Sequence, residues 1–506
     1  MQQRNRVIVI GAGIGGLSAA VVLAARGCAV TVLERASAPG GKMREVVIAD
    51  KRLDAGPTVF TLRWVFEELF DLAGTSLAAE LALTPADLLA RHAWDESGYL
   101  DLYADLEQSA AAIDGFSGHG EGKRYLAFMA EARSIYTTLE SAFINNSKTN
   151  LLGLTGRVGR EGKLGGWLRL NPYASLWQAL GKHFRDPRLQ QLFGRYATYA
   201  GSSPFLAPAT LMLIAHVEQE GVWLVQGGMH RLAVALADIA VRHGAEIRYG
   251  AEVSEILRDR GRATGVRLND DDGSRFDADA VVLNADVSAL GHGLFGESVA
   301  QAVKPTAPAQ RSMSALTWNL VARTAGFPLV HHSVFFSSRY QAEFDDIFNQ
   351  HRLPQAPTIY ICAQDRSADL AAEPPAGPER LLLLANAPPI GDRGTFDAAD
   401  IERCYTRANA LLARCGLELE HGTDAPVTTA PSDFERLFPA TGGALYGRAS
   451  HGWQASFSRP GARSKLPGLY LAGGSTHPGA GVPMAALSGR QAAKAVLEDL
   501  DPRGTR

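Results

Sequence analysis

Three glycines near the start of the chain, Gly11, Gly13 and Gly16, stand in G-x-G-x-x-G spacing, with Gly15 among them. In that spacing Gly11 turns the chain sharply, Gly13 admits backbone amides to a pyrophosphate, and Gly16 lets a helix lie close to a strand. Glu34, 18 residues beyond Gly16, is placed to accept hydrogen bonds from both ribose hydroxyls, and its charge disfavours a 2′-phosphate. Binding of a dinucleotide, FAD or NAD, is the chemistry this predicts. Far downstream, Gly473-Gly474 and Pro478-Gly479-Ala480-Gly481 make a second glycine-rich stretch, followed by Val482, Pro483 and Met484. A glycine loop that feeds a helix N-terminus aims free N–H groups at one edge of a ligand. Those amides stabilise negative charge on the N1–C2=O side of a reduced isoalloxazine. A nicotinamide site has no use for them, so the two loops together select FAD.

The elements around these residues follow from the pattern. Val7 to Ile10 predicts a strand buried on both faces, about Gly15 to Arg26 a helix ended by Gly27, and Ala29 to Leu33 a second strand. Pro39-Gly40-Gly41-Lys42 is a further glycine turn, where Arg35, Lys42 and Arg44 can face phosphate or the flavin edge; a solvated surface charge is the plainer reading of Arg44. Asp54-Ala55-Gly56-Pro57-Thr58 predicts a turn from a strand into an amphipathic helix carrying Val65, Phe66, Leu69, Phe70 and Leu72. Glu246 to Tyr249 and Val253 to Leu257 read as a strand pair, with Val253 the backbone partner of adenine, and Phe276 to Asn284 as a further strand. Near the C-terminus, Leu469 to Ala472 reads as a buried strand and Val482 to Ala493 as a helix opened by Pro483.

At 506 residues the chain exceeds what one core supports, so two intertwined domains are expected. The net charge of −3 and the lack of a basic tract argue against a nucleic-acid partner. Four cysteines without a C-x-x-C pair indicate no zinc site and no disulfide framework, which fits a reducing compartment. The first strand starts by about Arg6, leaving no room for a signal peptide. The apolar stretch Val7 to Leu33 is broken by glycines and Arg26, so it reads as a β-α-β unit and no membrane span is expected. The expected division is a nucleotide-binding domain of 1–77, 222–311 and 453–506 and a substrate domain of 78–221, where the clean β-α-β rhythm is lost, and 312–452. Strands are expected there at Arg91 to Trp94, Tyr99 to Tyr103, Trp318 to Val321, Ser333 to Phe336, Thr358 to Cys362 and Leu381 to Asn386, with a helix at Asp397 to Cys415.

The N-terminal fingerprint, Gly40-Gly41-Lys42, the D-A-G-P-T turn and the run GLYLAGGSTHPGAGVPMAALSGR from Gly468 to Arg490 resemble the FAD-dependent carotenoid desaturases of bacterial phytoene-desaturase type. The resemblance implies an α/β fold, with a Rossmann-like FAD-binding domain of the flavin amine oxidase type and an interleaved α+β substrate domain. It implies FAD as cofactor, with Gly41, Lys42, Gly56, Pro57, Thr58, Gly473, Gly474, Gly481, Val482 and Met484 among its contacts. An acyclic carotenoid would lose two hydrogens from adjacent carbons, one as hydride to flavin N5. Thr61 to Phe66, Ala90 to Trp94 and Gly221 to Val225 are most similar to the hydroxyneurosporene (1-hydroxycarotenoid 3,4-) desaturases, which implies 3,4-desaturation. Phytoene desaturation, carotenoid isomerisation and amine oxidation follow as alternatives. A flavin-free prenyl-lipid-binding protein would have lost the glycine loops that are intact here.

Because the polyene delocalises the developing cation, no strong acid–base pair is required, and none stands out. His477, Asp54, Arg63 and His230 are the candidates nearest the chemistry. Each has a structural alternative: a loop histidine bonded to backbone or flavin, a turn-forming aspartate, a surface arginine in place of one binding a tertiary hydroxyl, and a capping histidine. Leu192 to Leu206 resembles a cavity-lining segment of the family. From Leu164 to Phe184, Trp167, Leu170, Tyr173, Leu176, Trp177 and Leu180 alternate with Arg169 and Lys182, and Arg185 follows. This pattern suits the headgroup level of a bilayer, or else a core helix pair with a basic rim. The expected setting is cytoplasmic and peripheral to the inner membrane, with oxygen or a quinone as electron acceptor.

Overall fold

The computed structural model describes residues 4–95, 98–140, 144, 174–394, 396–422 and 424–501. The β-branched run after Arg6 forms strand β1 (Arg6–Ile10), and helix α1 (Ile14–Ala25) follows. Gly27, at φ +85°, turns the chain back into β2 (Ala29–Glu34). Later segments add β3 (Glu246–Tyr249), β4 (Ala280–Leu283) and β5 (Leu469–Leu471), all parallel to their neighbours. The spatial order β3-β2-β1-β4-β5 changes direction between β1 and β4. In open α/β sheets, ligands bind beyond the carboxyl ends of the strands at that point. The fold is α/β, as expected.

Helices α1, α2 (Arg63–Leu72), α3 (His230–Arg242) and α4 (Val482–Leu500) bury one core around Leu17, Phe66, Leu236 and Val496. A Cβ on Gly489 of α4 would lie 2.0 Å from the Gly15 carbonyl oxygen, so α1 and α4 meet backbone to backbone. On the other face, a three-stranded antiparallel sheet (Val253–Asp259, Arg262–Leu268, Arg275–Asp277) packs Ile256 and Val266 against Ile8 and Val281.

Three expectations are corrected here. Glu246–Tyr249 and Val253 onward are not a pair: the first extends the parallel sheet beside β2, and the second belongs to the antiparallel sheet. Gly250, at φ +67°, bonds through its N–H to Ala36 O, and Ala251 N–H to Glu34 O, so the chain is drawn across the end of β2. The run from Phe276 to Asn284 is divided between Arg275–Asp277 and β4, one strand in each of those sheets. Leu72, expected on the buried face of α2, is 40% exposed in its last turn.

An eight-stranded sheet built from Leu88–Trp94, Gly98–Tyr103 and strands between Ser314 and Thr429 forms the second centre of the fold. Helix Ala398–Arg414, capped by Asp397, covers one face through Cys404, Ala408 and Leu411. Helices Glu121–Leu139, Leu176–His183 and Pro187–Gly194 cover the other, where Phe128, Phe184 and Phe193 pack with ring centroids 4.8–5.2 Å apart. Of the stretch matched to a bilayer surface, Trp167, Arg169, Leu170 and Tyr173 lie outside the described residues. In the described part Leu176 and Leu180 are fully buried and Trp177 packs 4.7 Å from Phe205, while Lys182 and Arg185 stay exposed. That part is a core helix with a basic rim. Among the described residues no helix is long and apolar enough to cross a membrane.

Candidate functional site

β1 ends where the chain must turn into α1, and the space this opens is held by Asn284 at the end of β4. Its Nδ2 donates to Gly11 O at 3.3 Å. A Cβ on Gly13 would sit 2.7 Å from that Nδ2, and one on Gly15 2.7 Å from Asn284 Oδ1. Gly16 does not face the cavity; its missing Cβ lets the Gly11 carbonyl pass at what would be 2.1 Å. Gly13, at the start of α1, offers no side-chain cap, so the first amides of the helix keep their free N–H groups.

Glu34 ends β2 with its carboxylate buried. Oε2 accepts from Ala12 N–H at 2.6 Å and Oε1 from Ala36 N–H at 2.8 Å. A carboxylate has about four lone-pair positions, so two remain for ribose hydroxyls. Arg35 reaches across to the carbonyls of Arg436 and Leu437. Lys42 donates to Leu445 O at 2.6 Å and lies 5.3 Å from the Phe438 ring centroid; burial lowers its pKa and nearby Asp286 partly offsets this. Arg44 is no solvated surface charge: it donates to Thr429 Oγ1 at 2.8 Å and stands over Phe434.

The second loop closes the same space. Helix α4 starts at Val482 after Gly481, again without a side-chain cap, so a second helix N-terminus faces the cavity beside Met484. Gly473 N–H donates to Ser488 Oγ at 2.7 Å, which ties the loop to α4. Buried Arg459 donates to Gly474 O at 2.8 Å and to Tyr446 O at 3.0 Å; burial pulls its pKa down to about 10.

These parts surround one continuous cavity of about 1570 Å³. Glu34, Arg35 and Val253 line it with Gly11, Gly13, Gly15, Gly41, Lys42, Gly56, Pro57, Thr58, Gly473, Gly474, Gly481, Val482 and Met484. A further part is walled by Leu211, Ile214, Val217, Leu382 and Leu384. A single small-molecule site takes roughly 300–1,000 Å³, so this volume has room for a dinucleotide and a second, apolar ligand.

The four candidates for the chemistry separate. His477 is buried outside the cavity lining, its N–H donating to Pro460 O. Arg63 also lies outside it, paired with Glu67 at 2.7 Å and 5.9 Å from the Trp223 ring centroid. Asp54 turns away too: its carboxylate accepts from Met229 N–H at 2.7 Å and His230 N–H at 3.1 Å, capping α3 from a distant part of the chain. Burial raises the Asp54 pKa and those two amides oppose the rise. His230 alone lines the cavity, under the Gly40-Gly41 turn, with Nε2 2.9 Å from Pro39 O and Nδ1 3.4 Å from Glu45. Its ring braces that turn. Asn284 and Arg459 have no motif around them in the sequence, whereas Arg195 falls in Leu192 to Leu206, which lines the cavity through Arg195, Thr198, Tyr199 and Ala200. Only the Asn-Ala-Asp that ends β4, next to a parallel glycine strand, hints at the first.

The sequence model for flavin-containing amine oxidoreductases matches residues 14–497. A hydroxyneurosporene desaturase of Rubrivivax gelatinosus is 51% identical over 98% of this chain and 94% of that protein. A 1-hydroxycarotenoid 3,4-desaturase of a Flavobacterium species is 31% identical over 96% of this chain and 98% of that protein. Among solved structures, putrescine oxidase superposes with a TM-score of 0.60 at 14% identity, covering 98% of this chain and 99% of that one.

Proposed function

The chain belongs to the flavin-containing amine oxidoreductase family, and on that premise we propose that it is an FAD-dependent desaturase of acyclic carotenoids that introduces the 3,4 double bond into a 1-hydroxylated substrate. The observation that carries the reading is the continuity of one cavity: a nucleotide cradle at Glu34 and the glycine loops, open to a leucine- and valine-walled space. The carotenoid class comes from relatives named for such desaturation.

The residues fit FAD. Glu34 would hold the ribose, the amides at the start of α1 the pyrophosphate, and those of α4 the electron-rich side of the ring system. Bound FAD supplies the acceptor for the two electrons that leave the substrate. The protein's own part is positioning and dryness. Leu211, Ile214, Val217, Leu382 and Leu384 enclose the polyene and keep water from it. Arg195 on the same wall disfavours an ammonium ligand, which argues against amine oxidation. A membrane surface as the source of so apolar a substrate, and oxygen or a quinone as acceptor, belong to this reading.

A product assay tests it. FAD-loaded protein with lipid vesicles is given phytoene or 1-hydroxyneurosporene, and products are read by mass and absorption. Loss of two hydrogens with a red shift is expected from the hydroxylated substrate alone. Conversion of phytoene instead would overturn the 3,4 assignment, and unchanged mass with both would overturn desaturation.

A further inference from the structure

On the cavity wall Arg195, Tyr199 and Glu218 form one connected set of ionisable side chains. Arg195 opens the 3-10 turn Arg195–Ala200, and Gly201, at φ +63°, ends it. Its Nη1 donates to Tyr199 Oη at 2.9 Å, and Tyr199 Oη donates to Glu218 Oε1 at 3.2 Å. Tyr196 Oη holds the other Glu218 oxygen. The guanidinium lies 5.2 Å from the Tyr199 ring centroid and 5.3 Å from that of Tyr360. Among the described residues this is the only hydrogen bond of the Arg195 side chain, and it has no ion pair within 4.0 Å. A guanidinium carries five N–H donors and stays charged, so donors remain for something that enters the cavity.

The position of this group decides what it can do. Tyr360 Oη shares a hydrogen bond of 2.7 Å with Thr58 Oγ1, and Thr58 ends the Gly56-Pro57-Thr58 turn assigned above to the flavin. Arg195 is therefore one aromatic ring away from that turn. In a 1-hydroxylated carotenoid, three bonds separate the hydroxyl oxygen from C3 of the bond to be desaturated. Whatever binds the hydroxyl must stand beside the flavin and not at the far end of the tunnel.

We infer that Arg195, braced by Tyr199 and Glu218, binds the hydroxyl oxygen at C1 and so brings C3 and C4, and no other saturated bond, to the flavin. The inference rests on the desaturase reading above. It replaces Arg63, which lies outside the cavity, as the residue that meets a tertiary hydroxyl. A chain end without the hydroxyl leaves buried donors facing methyl groups. Sites built to bond a hydroxyl discriminate strongly against analogues that lack it, more strongly than apolar pockets sort by size.

The test compares 1-hydroxyneurosporene with the same polyene lacking the hydroxyl. Arg195→Leu, loaded with FAD, is expected to lower the ratio of kcat/KM for the two substrates by roughly 100-fold. Binding to the dithionite-reduced holoenzyme, where no turnover occurs, should show the same loss in the ratio of Kd values. Tyr199→Phe keeps the guanidinium and frees it from its brace, so a loss of roughly 10-fold in both ratios is expected; it also carries the test if Arg195→Leu holds no flavin. Unchanged ratios in a variant that retains flavin would overturn the role of Arg195 alone. Wild-type protein that desaturates neither compound would overturn the desaturase reading and this inference with it.

Discussion

Gly16→Ala is expected to give a nearly colourless protein, with bound flavin reduced about 10-fold or more and activity lost in proportion. A Cβ at this position would lie 2.1 Å from the Gly11 carbonyl oxygen and 3.0 Å from Asn284 Cβ. Neither neighbour can give way cheaply. Gly11 is backbone at φ +94°, and Asn284 is anchored by its N–H to Ile10 O and by its amide to Gly11 O. Overpacking of this kind costs about 1–3 kcal/mol, and the relief available is to push the Gly11 loop off the line that a pyrophosphate needs. Flavin absorbance per protein, measured after dialysis against FAD, reads the effect. Gly27→Ala is the control: that residue also has positive φ, +85°, yet a Cβ there meets nothing within 4 Å. It should cost stability of about 1 kcal/mol and leave the flavin in place. A Gly16→Ala protein with full flavin would refute the account of the crossing.

Asp54→Ala is expected to cost roughly 2–6 kcal/mol, because it strands two buried N–H groups at about 1–3 kcal/mol each. Among the described residues the carboxylate is the only partner of Met229 N–H and His230 N–H at the start of α3. It also fills the place beside Gly228, where a Cβ would lie 2.7 Å from Oδ2. The backbone at the same residue is held independently, since its carbonyl accepts from Asn319 Nδ2 at 2.9 Å and Gln364 Nε2 at 3.0 Å. The damage should therefore fall on α3 and on the Gly40-Gly41 turn that His230 braces. Asp54→Asn keeps one acceptor oxygen and should recover about half of the loss. Thermal inactivation of the FAD-loaded variants separates these outcomes. Equal stability of Asp54→Ala and wild type would show that the cap contributes nothing.

What could be read in the sequence was what lies close together along it. The strand, turn, helix and acid from Arg6 to Glu34 are consecutive, so period and glycine spacing reveal them, and the C-terminal loop with α4 is equally local. Val253 lines the cavity, yet its strand pairs within the antiparallel sheet and not with Glu246–Tyr249. Gly250 and the carbonyls of Glu34 and Ala36 decide that pairing, and those residues are some 200 positions apart. An asparagine after a strand is ordinary, so Asn284 becomes central only when β4 lies beside β1. Arg195 and Tyr199 fall in Leu192 to Leu206, the stretch that resembles a cavity-lining segment, but nothing local marks their meeting with Glu218 and Tyr360 across three separate segments. Residue type and proximity to a motif do not say which way a side chain points, and Asp54 and His477 both lie off the cavity lining.

The parallel sheet also sets a clock. Its central strand β1 is synthesised about 460 residues ahead of its edge strand β5. At roughly 5–20 residues per second, the interval is about 20–90 s. For the first part of that time the apolar strand β1 and the glycine turn exist without Asn284, and for all of it without β5 and the start of α4. A ribosome-bound chain can hold the nucleotide fingerprint but not the cradle. Capture of the cofactor is thus a check on completion: a chain released early keeps its most recognisable motif and stays colourless.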